Sequence, residues 1–196
     1  MLSLELVAVV LTLVAVYLTT RQVVWCWPLG MLSVALYAAV FYEARLYADT
    51  GLQGFYFLLA AYGWWAWLHN GEGQGQLRVS LASARTRWLL VVGASLGGVV
   101  LGYGLHWTTD ASLPFMDSML TAFSIAAQWM QTRKLLESWL VWLVVDLFYV
   151  GMFLYKKLYL TAGLYGVFLA LAVLGFAQWR QSMRQPRGTD PVPSVA

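Results

Sequence analysis

Residues 46–67, LYADTGLQGFYFLLAAYGWWAW, have a second copy at residues 158–179, LYLTAGLYGVFLALAVLGFAQW. Nine of the 22 aligned positions are identical, including three glycines and the final tryptophan. The same offset aligns further pairs outside this stretch: Arg21 with Arg133, Trp27 with Trp139, Tyr37 with Tyr149 and Phe41 with Phe153. We interpret the match as an internal repeat; the alternative is coincidence between two aromatic-rich helices.

The chain around the repeat is too apolar for a soluble protein. Of its 196 residues, 61% are apolar and 11% are charged, whereas soluble domains carry about 25% charged residues. A bilayer core about 30 Å thick needs about 20 apolar helical residues. Seven segments meet this length, at 2–19, 23–42, 52–69, 88–106, 114–132, 138–155 and 159–179. The sequence therefore predicts an all-α integral membrane protein with seven transmembrane helices.

The repeat sets the domain organisation that we expect. An offset of four spans is even, so both copies face the same way across the membrane. We predict parallel 3+1+3 repeats, with a three-helix repeat at 1–69, a cytoplasmic loop at 70–87, a linking helix at 88–106, a second three-helix repeat at 114–179 and a disordered cytoplasmic tail at 180–196. Parallel repeats are a transporter architecture that holds substrate between its halves near the membrane midplane.

Basic residues predict the orientation, because they are in excess on the cytoplasmic side. With seven spans, nine fall on one side: Arg21, Arg78, Arg85, Arg87, Arg133, Lys134, Arg180, Arg184 and Arg187. Three fall on the other: Arg45, Lys156 and Lys157. The N-terminus is thus expected outside and the C-terminus inside, and the basic residues indicate topology instead of nucleic-acid binding.

Several kinds of chemistry are not expected. A single cysteine, Cys26, leaves no disulfide framework and no cysteine-based metal site. The two histidines, His69 and His106, are far apart in sequence. Since the sequence also contains no nucleotide-binding or catalytic motif, we predict no metal, no cofactor and no enzyme activity.

The fifth span carries an unusual polar stripe. Asp117, Thr121, Ser124, Gln128 and Gln131 follow one another at intervals of three or four residues, so all five share one helical face. Polar side chains inside a bilayer are expensive and commonly line a substrate path. The stripe predicts that a water-filled cavity or a polar ligand lies opposite this face of the helix.

The sixth span carries a matching aromatic stripe around an acid. Trp139, Trp142, Asp146, Tyr149 and Phe153 also follow at helical spacing, with Asp146 near the middle of the span. Aromatic faces attract flat organic cations, and a carboxylate adds opposite charge. We therefore predict a cation-binding box that includes Trp142, Asp146 and Tyr149.

Gln53 and Tyr56 of the third span share a face and are also predicted to contact substrate. Purely structural roles compete with substrate binding for all of these side chains. An aromatic stripe often serves helix packing, a membrane Asp can be protonated and bond a neighbouring helix, and aromatic residues near a span end can form an interfacial belt.

Four runs resemble a known family: Leu46–Gln53, Tyr62–Trp67, Thr132–Trp142 and Lys-Lys-Leu-Tyr-Leu-Thr at 156–161. They are similar to the PnuC family of bacterial vitamin transporters. The resemblance implies facilitated diffusion of nicotinamide riboside across the inner membrane, with trapping by a cytoplasmic kinase and with no need for ATP or an ion gradient. It also implies a fold like that of a full-length SWEET protein, and a homotrimer.

The family motif in the sixth span is Trp-x-x-x-Asn-x-x-Trp, where this chain has Trp142-x-x-x-Asp146-x-x-Tyr149. Gln128 matches a fifth-span position associated with ligand contact. The resemblance thus implies a site of Trp142, Asp146 and Tyr149 around the cationic ring. Gln128, Gln131, Ser124, Thr121, Trp139, Gln53 and Tyr56 complete the candidate set.

The sequence leaves two alternatives to nicotinamide riboside transport. Relatives are assigned to thiamine and to riboflavin, and Asp146 in place of Asn favours the cationic thiamine over the neutral riboflavin. The other alternative is a membrane-embedded enzyme that acts on a lipid.

Overall fold

The computed structural model describes residues 2–43, 45, 47–70, 77–108 and 113–184, without the side chains of residues 2, 3 and 47–49. This part of the chain forms seven helices, which confirms the predicted all-α fold: α1 Leu2–Thr20, α2 Cys26–Glu43, α3 Tyr47–His69, α4 Ala84–Thr108, α5 Pro114–Thr132, α6 Glu137–Tyr155 and α7 Tyr159–Arg184.

The observed helices extend past several of the predicted apolar spans. α3 begins at Tyr47, α4 begins at Ala84 and α7 ends at Arg184, because backbone hydrogen bonding continues through polar residues beyond an apolar run. Residues 185–196 of the predicted tail and residues 71–76 of the predicted loop lie outside the described residues.

Within the described part of the chain, four helices are long and apolar enough by themselves to cross a bilayer: α2, α4, α6 and α7. The apolar part of α1 is shorter, at Leu4–Thr20. α3 and α5 contain polar residues among their apolar ones, and in α5 these form the polar stripe. The chain is therefore a multi-pass membrane protein.

Three helices end in the same kind of turn. The residue after the last turn of α1, α5 and α6 has a positive φ, of 58° at Gln22, 49° at Lys134 and 60° at Lys157. In each case the next amide donates to a carbonyl five residues earlier, as in Val23 N to Leu18 O and Leu135 N to Met130 O, both at 3.0 Å. This is the Schellman pattern, which satisfies carbonyls left unpaired at a helix end.

Each helix within residues 2–69 packs on the next, and so does each helix within 114–184. The two groups meet where α1 contacts α7 and where α3 contacts α5, while α4 packs on α5. We call residues 2–69 the first unit and residues 114–184 the second unit.

Four buried tryptophans, Trp27, Trp67, Trp139 and Trp179, form the centre of the core and are here named the tryptophan cluster. Trp27 meets Trp67 edge to face at 5.3 Å between ring centroids, and Trp139 meets Trp179 in the same way at 5.4 Å. They lie near the ends of α3 and α7 and the starts of α2 and α6. We call this the tryptophan end of the bundle, and the opposite end the far end.

Two indole hydrogen bonds cross between the units. Trp67 Nε1 donates to the carbonyl of Gln131 at 3.1 Å, and Trp179 Nε1 donates to the carbonyl of Thr19 at 3.0 Å. Each tryptophan thus adds a second donor to a carbonyl near the end of a helix of the other unit, since the Thr19 carbonyl already accepts from the amide of Gln22 and the Gln131 carbonyl from that of Lys134. The tryptophan end is closed by direct contact between the two units.

Candidate functional site

The polar stripe of α5 contains side chains at several levels of burial. Ser124 and Gln131 are buried, Thr121 and Gln128 are half-buried, and Asp117 in the first turn is exposed. Ser124 Oγ donates to the carbonyl of Leu120 at 2.8 Å. A hydroxyl bonded in this way keeps acceptor capacity for another group.

Asp146 is buried in α6, with 4% of its surface exposed. No Lys or Arg of the described residues forms an ion pair with its carboxylate. Tyr149, one turn further along α6, has its hydroxyl within hydrogen-bonding reach of the Thr121 and Ser124 side chains of α5. The structure thus brings the predicted stripes of α5 and α6 together at Tyr149.

An aromatic wall from α6 and α7 lies beside this contact. Tyr149 and Tyr165 have ring centroids 4.7 Å apart, Tyr165 and Phe153 are 5.2 Å apart, and Tyr165 and Phe168 are 5.7 Å apart. Tyr56 of α3 is close enough to interact electrostatically with Tyr149 and Tyr165. This arrangement offers ring faces, hydroxyls and one carboxylate to a flat polar ligand.

Sequence reasoning missed Tyr165 and Tyr37 as candidate residues, although both interact with this group. The internal repeat contained the signal that would have found them. Tyr165 is aligned with Gln53, and Tyr37 with Tyr149, both of which were already candidates.

The remaining predicted residues lie away from Asp146 and Tyr149 or at the edge of the aromatic wall. Trp139, 1% exposed, packs in the tryptophan cluster against Trp179 and Gly175, about 10 Å along α6 from Asp146. Trp142 lies between the two and is partly buried against the cluster. The backbone carbonyl of Gln131 accepts the hydrogen bond from the Trp67 indole at the tryptophan end. Gln53 is half-buried in α3.

Lys134 forms a separate buried polar contact at the tryptophan end, in the turn between α5 and α6. Its Nζ lies 4.3 Å from the centroid of the Trp67 ring and donates to Gln22 Oε1 at 3.5 Å. Only 3% of the residue is exposed, and this burial lowers the pKa of the Lys134 ammonium from 10.5 to about 8.

We expect the Lys134→Gln variant to lose a pH dependence of stability. Between about pH 8 and 10.5 the folded chain binds fewer protons at Lys134 than the unfolded chain does. The stability of the wild type should therefore rise with pH across that window. Melting temperatures at pH 7.5 and pH 10 should differ less in the variant than in the wild type; an equal pH response in both proteins would contradict the assignment.

Within the described residues, no group of three or more His, Cys, Asp or Glu side chains is placed to hold a metal ion. The polar contacts of the site come from neutral hydroxyls and amides together with the single buried carboxylate. The arrangement is suited to binding a ligand through charge, ring stacking and hydrogen bonds.

Comparison with known proteins identifies the family. A model of the nicotinamide mononucleotide transporter family matches residues 2–181. The nicotinamide riboside transporter PnuC of Escherichia coli is 25% identical over 206 residues, covering 92% of this chain and 86% of the relative. The riboflavin/roseoflavin transporter RibM of Streptomyces davaonensis is 26% identical over 196 residues, covering 96% and 88%.

A crystal structure of the vitamin B3 transporter PnuC has the same fold, with a TM-score of 0.71 and 24% identity over 91% of this chain and 80% of that one. The family match covers nearly the whole chain, which confirms the resemblance drawn from the four sequence runs. The chain belongs to the nicotinamide mononucleotide transporter family, the PnuC family of vitamin transporters.

Proposed function

We propose that the protein carries nicotinamide riboside across the bacterial inner membrane by facilitated diffusion. The observation that carries this proposal is the buried carboxylate of Asp146, which has no cationic partner among the described residues and lies beside the aromatic wall. The pyridinium ring of nicotinamide riboside is flat and positively charged, so it complements both features.

Each side chain in the proposed site has a distinct role. Asp146 neutralises the cationic ring, and Trp142 and Tyr149 stack on it. Ser124, Thr121 and Gln128 of α5 supply hydrogen-bond partners for the ribose hydroxyls and the amide, and Gln131, one turn closer to the tryptophan end, lies at the edge of the proposed site. Release requires binding that is not too tight, and we expect a micromolar dissociation constant.

Acidic residues at the far end support a cationic cargo. Glu5 in the first turn of α1 acts electrostatically on Tyr37, and Asp117 in the first turn of α5 acts on Tyr149. The two acid–tyrosine pairs stand 112 residues apart, one in each unit. Negative charge at a channel mouth raises the local concentration of cations.

The proposal includes parallel 3+1+3 repeats, with all seven helices crossing the membrane. Paired features support it: the turns at Gln22 and Lys134, the edge-to-face tryptophan pairs and the two indole bonds between units all recur at the same offset. A rocking motion of one unit against the other would then alternate access. Gly51 and Gly163 are the proposed hinges. Neither is crowded by its neighbours, because a Cβ at either would meet no atom within 4 Å.

The distribution of basic residues supports a cytoplasmic tryptophan end and a periplasmic N-terminus.

The family resemblance supports two further parts of the proposal, a homotrimer and a cytoplasmic kinase that traps the vitamin. The relatives are named as transporters, so we propose transport and no catalytic step.

Thiamine is the second candidate substrate. Its thiazolium ring is a permanent cation, and a carboxylate at position 146 favours such a ring over a neutral one. The similarity to RibM makes riboflavin a necessary comparison, although its neutral ring system gains nothing from the charge on Asp146.

The experiment is a transport assay with the purified full chain in liposomes. Labelled nicotinamide riboside, thiamine and riboflavin are offered separately, and binding is followed in parallel by quenching of tryptophan fluorescence. We expect saturable uptake and binding of nicotinamide riboside, unchanged by a protonophore. Uptake of thiamine alone would replace the first candidate by the second, and uptake of riboflavin alone would contradict the role given to Asp146.

A further inference from the structure

Residues 77–83, here named the strap, are fastened to the turn between α5 and α6. Ser80 N donates to the carbonyl of Lys134 at 3.1 Å, and Leu136 N donates to the carbonyl of Ser80 at 2.9 Å. Ala82 N lies 3.1 Å from each carboxylate oxygen of Glu137. The strap therefore has three anchoring points on the second unit, one of which is a charge-assisted hydrogen bond.

The apolar side of the strap closes the tryptophan end. Val79 is 8% exposed and belongs to the same buried cluster as Trp27, Trp67, Trp139 and Trp179, with Leu77 packed against it. These tryptophans come from both units, so the strap covers the junction between the units. Val79 therefore lies over any path that runs between the units at this end.

The fastening is one-sided. The turn at Gln22 in the first unit has the same Schellman geometry as the turn at Lys134. Among the described residues, no segment pairs with that turn as the strap pairs with residues 134–136. The strap thus distinguishes two otherwise similar halves, because its backbone pairing is with the turn of the second unit.

Space for movement lies next to the strap. A crevice of about 730 Å³ is bounded by strap residues on one side and by His69, Trp129 and Arg133 on another. Leu81 and Ser80 are exposed, and lifting the strap would uncover the buried Val79 and Ala82 side chains and the half-buried Leu77.

We propose that the strap is the gate at the tryptophan end, that Glu137 is its latch, and that the strap must detach from the α5–α6 turn for substrate to leave there. The inference rests on the proposed transport function, since it assumes a path between the units. Glu137 acts in it as a positioning residue, through the strap, and does not touch substrate.

A reversible cross-link tests the gate. Ser80 and Leu135 form an isolated parallel β-bridge, and paired strands are about 4.8 Å apart, within the Cα separation that a disulfide needs. We expect the oxidised Ser80→Cys/Leu135→Cys protein to bind nicotinamide riboside normally but to lose at least about tenfold in uptake, and a reductant to restore uptake. The single-cysteine variants under the same oxidant are the controls, since each also contains Cys26.

Normal uptake by the oxidised double variant would overturn the gate. A separate measurement tests the latch without transport: hydrogen exchange at the amides of Ser80, Ala82 and Leu136. Glu137→Gln should raise exchange there at least about threefold while leaving the core of α6 protected; unchanged exchange would overturn the latch. If the wild type transports none of the three vitamins, the proposed function fails, and the exchange data still decide the latch.

Discussion

Replacing Asp146 with alanine should weaken the binding of nicotinamide riboside at least about tenfold and reduce uptake by a similar or larger factor. The carboxylate is buried and has no ion pair within the described residues, so none of their cations competes with a cationic ligand for it. Charge-assisted contacts contribute about 1.5–3 kcal/mol, and about 1.4 kcal/mol corresponds to a factor of ten. The measurements are a fluorescence titration and liposome uptake.

Two further variants separate charge from shape. Asp146→Asn removes the charge but installs the amide of the family motif, so it should weaken the binding of thiamine, weaken the binding of nicotinamide riboside less than Asp146→Ala does, and leave any riboflavin binding unchanged. Phe148 lies on an exposed part of the same helix, so the Phe148→Ala variant should leave the binding of all three vitamins unchanged. A buried carboxylate is unfavourable in the membrane, so removing it should not lower the melting temperature. Wild-type binding and uptake by Asp146→Ala would show that the site lies elsewhere.

Alanine at Gly175 or Gly63 should strongly destabilise the fold. A Cβ at Gly175 would overlap the ring of Trp139, and one at Gly63 would overlap the ring of Trp27. Both rings are held in the tryptophan cluster and cannot move without disturbing an edge-to-face partner. Overpacking of this kind typically costs about 1–3 kcal/mol, and we expect a lower melting temperature of the purified protein in detergent.

The chain contains matched controls for this prediction. Gly54 and Gly166 are in α3 and α7 as well, but a Cβ at either would meet no atom within 4 Å. Alanine there should be neutral or slightly stabilising, because alanine favours a helix more than glycine does. Equal melting temperatures for Gly175→Ala and Gly166→Ala would contradict the packing argument.

The helices were predictable because their causes are local. A run of about 20 apolar residues is sufficient to specify a membrane helix, and every predicted span corresponds to an observed helix. The boundaries were less predictable at α3, α4 and α7, since a helix can continue into polar sequence. The side chains on one helical face also followed from spacing alone, as in the stripe of α5.

The candidate site was predictable in part. Spacing placed Asp146 and Tyr149 on one stripe and Thr121 and Ser124 on another, and the structure brings Tyr149 to both α5 residues. Spacing also placed Trp139 on the α6 stripe, where the structure shows it in the tryptophan cluster. A stripe runs along the whole helix, so its members lie at different depths and meet different neighbours. Helical periodicity contains no information on depth.

By itself, the sequence determined the membrane character of the chain, its helices, its polar and aromatic faces and the family to which it belongs. All of these depend on composition, on spacing within one helix or on motifs. Only the tertiary structure decided that Trp67 and Trp179 donate to carbonyls of the opposite unit, that Tyr165 joins Tyr149, and that the strap docks on the α5–α6 turn. These contacts join residues distant along the chain, and they exist only once the helices have packed.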